Sequence, residues 1–265
     1  MNQIFDINRT MLFAKLKFSQ NRKMLLIGLA GYFGLIFIIT FFMAYGLNGN
    51  YAYVMNTFHT VAMGLLVGLG GIWVAGRSYQ DMNSPEKSMA QIMVPASTFE
   101  KYIVPLIFST VLWVFAITAI YQLYAFMLNG MWSGLFGKEF GFFNIFDLVH
   151  NPELFDSVKG YLLVHSIFFL GGIAFKRYPI AKTVLSMFVI NICFTVIALV
   201  TMLILFGGFI EMGNMNNLVI ENRLDQILNK DTIASMKLIS ELVFTIVIPI
   251  ILYIAAFFKL KEREV

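Results

Sequence analysis

Six long apolar runs constrain this chain more than any other feature: residues 24–47, 54–75, 102–128, 160–175, 183–209 and 238–258. A helix needs about 20 residues to cross a ~30 Å hydrocarbon core, and five runs reach that length. The fourth holds 16 residues and rises only about 24 Å. It either thins the bilayer locally, borrows flanking residues or turns back before crossing. The runs are continuous and lack the alternation of barrel strands, so they read as helices. Of 265 residues 59% are hydrophobic and 13% charged, against about 25% charged in soluble domains. That balance excludes a soluble globule, a disordered chain and a nucleic-acid binder. A single cysteine, Cys193, excludes a disulfide-built fold.

The cations set the topology. Arg9, Lys15, Lys17, Arg22 and Lys23 precede the first run; Arg77, Lys87 and Lys101 lie between the second and third. Lys176, Arg177 and Lys182 follow the fourth, and Lys259, Lys261 and Arg263 follow the sixth. The alternate loops carry only Lys138, Lys159, Arg223, Lys230 and Lys237. The positive-inside rule therefore puts both ends of the chain in the cytoplasm, and a spanning fourth helix keeps Lys176, Arg177 and Lys182 on that side. The first run is long enough to remain as a span, so no cleavable signal is expected.

Outside the runs, three segments have helical patterns. Within residues 1–23, Ile4, Ile7, Met11, Ala14 and Phe18 share one face and Asp6, Arg9 and Lys17 the other, which predicts an amphipathic helix lying in the interface. After the second run, Ser84-Pro85 is a helix start, and Met89, Ile92 and Met93 form an apolar face before Pro95. That face either docks in a groove on a partner or packs back on the bundle. Ser97 to Glu100 then forms a capping box for the third span. On the outer side, Ile220, Leu224, Ile227 and Leu228 predict a further amphipathic helix over residues 218–229.

The runs contain no Lys or Arg, and Glu241 is their only acidic residue. Ion-coupled transport ordinarily requires ionisable groups at membrane depth, so energy for any uphill movement is expected from a partner. His59, His150 and His165 have no metal-ligand spacing, and Cys193 reads as core packing. His165 reads as a hydrogen-bonded packing residue. Gly71 to Ser78 matches a phosphate-loop spacing with Arg77 in place of lysine, but it occupies a helix end instead of a strand-to-helix turn. Gly64 and Gly68, and Gly28, Gly31 and Gly34, read as helix-contact sites, within one subunit more readily than between two. Pro249 predicts a kink in the sixth span.

This layout resembles the type-2 (ABC-2) permeases, the membrane subunits of ATP-binding-cassette exporters. Residues 92–102, Ile-Met-Val-Pro-Ala-Ser-Thr-Phe-Glu-Lys-Tyr, are similar to the LPxSxxEK segment of small Bacteroidetes-type members, with Val94 in place of leucine. Gly171 to Arg177, with Lys182 and Thr183, resembles their turn between spans four and five. The resemblance implies an all-α fold of six spans in one transmembrane domain, inserted in a bacterial inner membrane. It implies a coupling helix on Ser84, Pro85, Glu86, Met89, Ile92 and Met93, and a second contact at Lys176, Arg177, Tyr178 and Pro179. The partners would be a cytoplasmic ATPase subunit, which carries ATP and magnesium, and a second permease copy or paralogue. No cofactor or catalytic site is expected on this chain. Two other readings stand beside it: a membrane scaffold with no ATPase, and an intramembrane enzyme in which Asn191, Thr195 and His165 would converge.

Overall fold

The computed structural model describes residues 5–46, 51–83, 93–140, 143–144, 152–205 and 230–264. Six long helices account for most of them: α1 (Ile7–Gly46), α2 (Tyr51–Arg77), α3 (Thr98–Phe136), α4 (Pro152–Ala174), α5 (Pro179–Leu205) and α6 (230–264). Each contains a stretch long and apolar enough to cross a membrane, the make-up of a multi-pass membrane protein. No strand occurs among the described residues. The predicted helices over 84–92 and 218–229 lie outside the described residues, apart from Met93 and Val94, which form a bend.

One expectation changes and one open choice is resolved. The predicted surface helix at residues 1–23 is not a separate element, because α1 runs unbroken for 40 residues. Asn21-Arg22-Lys23 contains neither proline nor glycine, so nothing stops the helix there. At about 1.5 Å per residue α1 is roughly 60 Å long, twice the hydrocarbon thickness. Asp6 starts it, its carboxylate accepting from the Asn8 and Arg9 backbone N–H groups at 2.9 and 3.2 Å. The short fourth run is the second case. α4 draws in residues 152–159 and reaches 23 residues, which gives about 35 Å. Borrowed flanking residues thus supply the missing length.

Both α3 and α6 contain a π turn near a proline. In α3, Pro105 has no N–H to give the Lys101 carbonyl, and the Tyr79 hydroxyl donates to that carbonyl instead at 3.3 Å. The π turn Phe108–Leu112 follows. In α6 the π turn Val243–Val247 ends two residues before Pro249. Neither helix ends at its proline.

Close helix contact occurs at other glycines than those expected. A Cβ placed on Gly28, Gly31, Gly34, Gly64 or Gly68 would meet nothing within 4 Å. At Gly172 it would lie 2.9 Å from the Gly76 carbonyl oxygen and 3.0 Å from that of Ala75. The backbones of α2 and α4 therefore touch at Gly76 and Gly172. Gly70 faces the Trp113 ring and Gly71 the Tyr161 ring in the same manner.

Two apolar clusters hold the helices. One joins α1, α2 and α3 through Ile36, Met55, Leu66, Trp113, Ile117, Tyr121 and Trp132. The other joins the end of α2 to α3, α4 and α6 through Tyr79, Tyr102, Phe169, Ile173 and Leu260. α5 stands at the edge, with 6% of its apolar window buried. Cys193 lies on it and is exposed, so the expected core position is wrong. Periodicity could not reveal this, because α5 is apolar on every side and no face is marked as the inner one.

The two histidines inside the bundle are paired. His165 is fully buried, with Nδ1 2.9 Å from the Tyr253 hydroxyl and Nε2 3.0 Å from Ser109 Oγ. His59 is likewise buried between Tyr121 and Asn129, each at 3.0 Å. Hydrogen bonds of this kind between membrane helices average about 0.6 kcal/mol and reach about 1.7. His59→Leu, which breaks two and strands both partners, is expected to destabilise the protein by about 1–3 kcal/mol. Unfolding titrations in mixed micelles would measure it, and an unchanged midpoint would show that the network is not structural.

Candidate functional site

The α4–α5 turn and the described flanks of the α2–α3 loop lie at one end of the bundle, where α2 ends and α3 begins. Local sequence explains each piece. Ser97 caps α3, accepting from the Glu100 N–H at 3.2 Å, while Glu100 Oε2 accepts from the Ser97 N–H at 2.8 Å. The predicted capping box is therefore present. The α4–α5 turn is tight because Tyr178 takes a left-handed conformation, with φ of 53°, and Pro179 then starts α5. A non-glycine residue there is uncommon, and its ring is 65% exposed. The Arg177 guanidinium lies 5.2 Å from the Tyr178 ring centroid.

Glu100 has a second role that the sequence did not signal. Both its oxygens face Arg9 on α1, at 2.8 Å from Nε and 2.8 Å from Nη2. The Asp6 N–H donates to Oε1 at 2.7 Å. The carboxylate is fully buried while the Arg9 side chain is one-third exposed. Glu100 lies just before the third apolar run, in the cap of α3. Burial alone would raise its pKa, but the Arg9, Ser97 and Asp6 hydrogen bonds outweigh that effect and hold it below its ordinary value. A second pair, Lys17 to Asp81 at 3.1 Å, ties α1 to the short 3₁₀ turn Gln80–Asn83 after α2. The basic start of α1 is thus clamped to both ends of the loop between α2 and α3. Spacing rules see partners three or four residues apart, and Arg9 and Glu100 are 91 apart.

These elements surround an open hollow of about 1390 Å³. Lys176, Arg177, Tyr178 and Pro179 form one wall, Val94 and Asp81 from the α2–α3 loop another, and Phe13 and Gln20 of α1 the third. Met93, beside Val94, is 82% exposed. Ser84, Pro85, Glu86, Met89 and Ile92 lie outside the described residues. The described flanks of that segment, Asp81 and Val94, therefore border the same concavity as the α4–α5 turn.

The residues considered for an intramembrane enzyme do not converge. Asn191 and Thr195 lie on the exposed surface of α5, where Thr195 Oγ1 donates to the Asn191 carbonyl at 2.9 Å. His165 is buried against Ser109 and Tyr253. Gly71 and Gly76 of the phosphate-loop look-alike are buried within α2, against Tyr161 and Ile180. Among the described residues no group of three or more His, Cys, Asp or Glu side chains could hold a metal. Glu241, the single acidic residue of the runs, pairs with Lys159 at the start of α4. No family model, curated protein or solved structure matches this chain.

Proposed function

We propose that this chain is the membrane permease subunit of a type-2 ATP-binding-cassette exporter. A separate cytoplasmic ATPase hydrolyses ATP with magnesium, and a second permease copy or paralogue completes the transporter. In this reading the end of the bundle bearing Arg77, Lys176 and Arg177 faces the bacterial cytoplasm, with both chain ends on that side. The observation that carries the proposal is the hollow: Asp81 and Val94, which flank the coupling segment on either side, and the α4–α5 turn at Lys176 to Pro179 border one concavity. The exposed Met93 beside it supplies an adaptable apolar surface of the kind that helix-in-groove docking uses. Spans without Lys or Arg suit a protein whose energy enters from a partner. The apolar, Phe- and Met-rich spans favour an amphipathic substrate.

The clamp through Arg9, Glu100, Lys17 and Asp81 gives the mechanism a physical route. A movement imposed on the α2–α3 loop reaches α1 and α3 together, because charged hydrogen bonds link all three. The test is a variant carrying Met89→Asp and Met93→Asp. Two carboxylates in the contact are expected to abolish stimulation of a co-purified ATPase while insertion and dimerisation persist. Undiminished ATPase stimulation would remove the coupling role from this segment. A purified chain that never associates with an ATPase would favour the scaffold reading.

A further inference from the structure

A second concavity, sharing Arg77 and Trp73 with the first, lies between the beginning of α1 and the beginning of α3. It has a volume of about 620 Å³, within the range of about 300–1,000 Å³ usual for ligand sites. Met11, Ala14, Ile103 and Ile107 contribute to its apolar walls. Two edge-to-face ring pairs connect α1 and α3 along it, Phe5 with Phe99 and Phe18 with Phe108, each with centroids 6.3 Å apart. The groove extends from Phe5 and Phe99, which precede the apolar runs, to Leu25 and Leu112 within them. It therefore passes from headgroup depth into hydrocarbon depth. The described residues do not fill it: Met11 is 66% exposed and Ile107 44%.

Its polar edge is cationic. Lys17, Asn21, Arg77 and Ser78 line that side, and Lys17 is already paired with Asp81. Arg77 is held differently. Its guanidinium carbon lies 5.1 Å from the Trp73 ring centroid, Nε donates to Gln80 Oε1 at 2.7 Å, and Nη1 is 3.5 Å from Met24 Sδ. All of these neighbours are neutral, and Arg77 meets no carboxylate among the described residues. The position, two residues past the second apolar run, is where phosphates of an anionic leaflet lie.

We infer that this groove is a binding site for an anionic phospholipid, one acyl chain between α1 and α3 and the phosphate on Arg77. The walls require hydrocarbon and the edge requires an anion. A guanidinium fixed on an indole face presents its remaining N–H groups to phosphate in the paired geometry that arginine favours. A phospholipid carries both features in one molecule and surrounds the protein in its own solvent. The inference concerns the chain itself and is independent of the transporter reading.

Native mass spectrometry of the full chain in mild detergent tests it, with dioleoyl phosphatidylglycerol and dioleoyl phosphatidylcholine titrated separately. The expected result is one retained phosphatidylglycerol per chain, bound roughly five-fold more tightly than phosphatidylcholine, the effect of one cation near an anionic headgroup. Arg77→Gln removes that preference, whereas Arg22→Gln, on α1 but outside the groove, leaves it. Ala14→Trp fills the groove and weakens both lipids, and Met11→Trp, at an exposed position, does the same should Ala14→Trp fail to fold. Equal binding of the two lipids, a preference that survives Arg77→Gln, or displacement by inorganic phosphate alone would each overturn the proposal. So would unchanged lipid binding in a folded tryptophan variant.

Discussion

Gly172→Ala destabilises the bundle by about 1–3 kcal/mol, the cost of overpacking where nothing can yield. A methyl group at that position meets the Gly76 and Ala75 carbonyl oxygens at 2.9 and 3.0 Å. Both are backbone atoms inside α2, so relief requires moving α2 and α4 apart. The displacement would reach the α4–α5 turn directly, since Ile180 lies against Gly76 at the same contact. The informative control is Gly64→Ala. A Cβ there has open space, and alanine is the better helix former by about 1 kcal/mol, so stability holds or rises. Both variants would be compared by unfolding in mixed micelles under conditions where the chain is monomeric. A larger loss at Gly64 than at Gly172 would place the close approach at the GxxxG spacing and contradict the packing described above.

Glu100→Gln is expected to release the beginning of α1 from the rest of the protein. The glutamine keeps the shape but replaces an acceptor with an amide NH₂ group. Some of the Arg9, Asp6 and Ser97 donors then face another donor in a buried site, and such unsatisfied groups are costly. Hydrogen–deuterium exchange over residues 7–20 would report it, with opening faster by at least about ten-fold. Lys17→Gln should do less, because the Lys17–Asp81 pair is more exposed on its carboxylate side. Acidification repeats the experiment on the unchanged chain. The Glu100 pKa is depressed by folding, so its contribution is complete above the ordinary value near 4.5 and fades as pH falls through the lower folded value. Exchange over residues 7–20 that is indifferent to both the substitution and acid would show that the clamp does not hold α1.

What could be read in the sequence follows from which interactions are local. The capping box at Ser97 and Glu100 was legible because its partners are three residues apart. The six spans were legible because apolar length is a property of the run itself. Partners for His165 could be anticipated in kind, a hydrogen-bonded packing role, but not as Ser109 and Tyr253, which lie 56 and 88 residues away. The length α4 gains at its start was hidden because Glu153, Asp156, Ser157 and Lys159 dilute the apolar signal without breaking the helix. At α1 the error came from the charges of Arg22 and Lys23, which mark a change of environment and not a change of backbone. Glycine spacing did not locate the close contacts within the chain, because a GxxxG pattern says which residues share a face but not what that face meets. The apolar groove and hollow were invisible for the same reason: each is built from three segments distant in sequence.

The transporter account stands or falls on a partner. The decisive measurement is an affinity purification of the tagged chain from its native host in mild detergent, with every co-purifying protein identified and quantified. The account predicts a soluble chain at one-to-one stoichiometry, carrying an intact GxxxxGK[ST] loop and hydrolysing ATP. Recovery of this protein without any ATPase, repeated after cross-linking in the intact membrane, would contradict it and leave a membrane scaffold as the better reading.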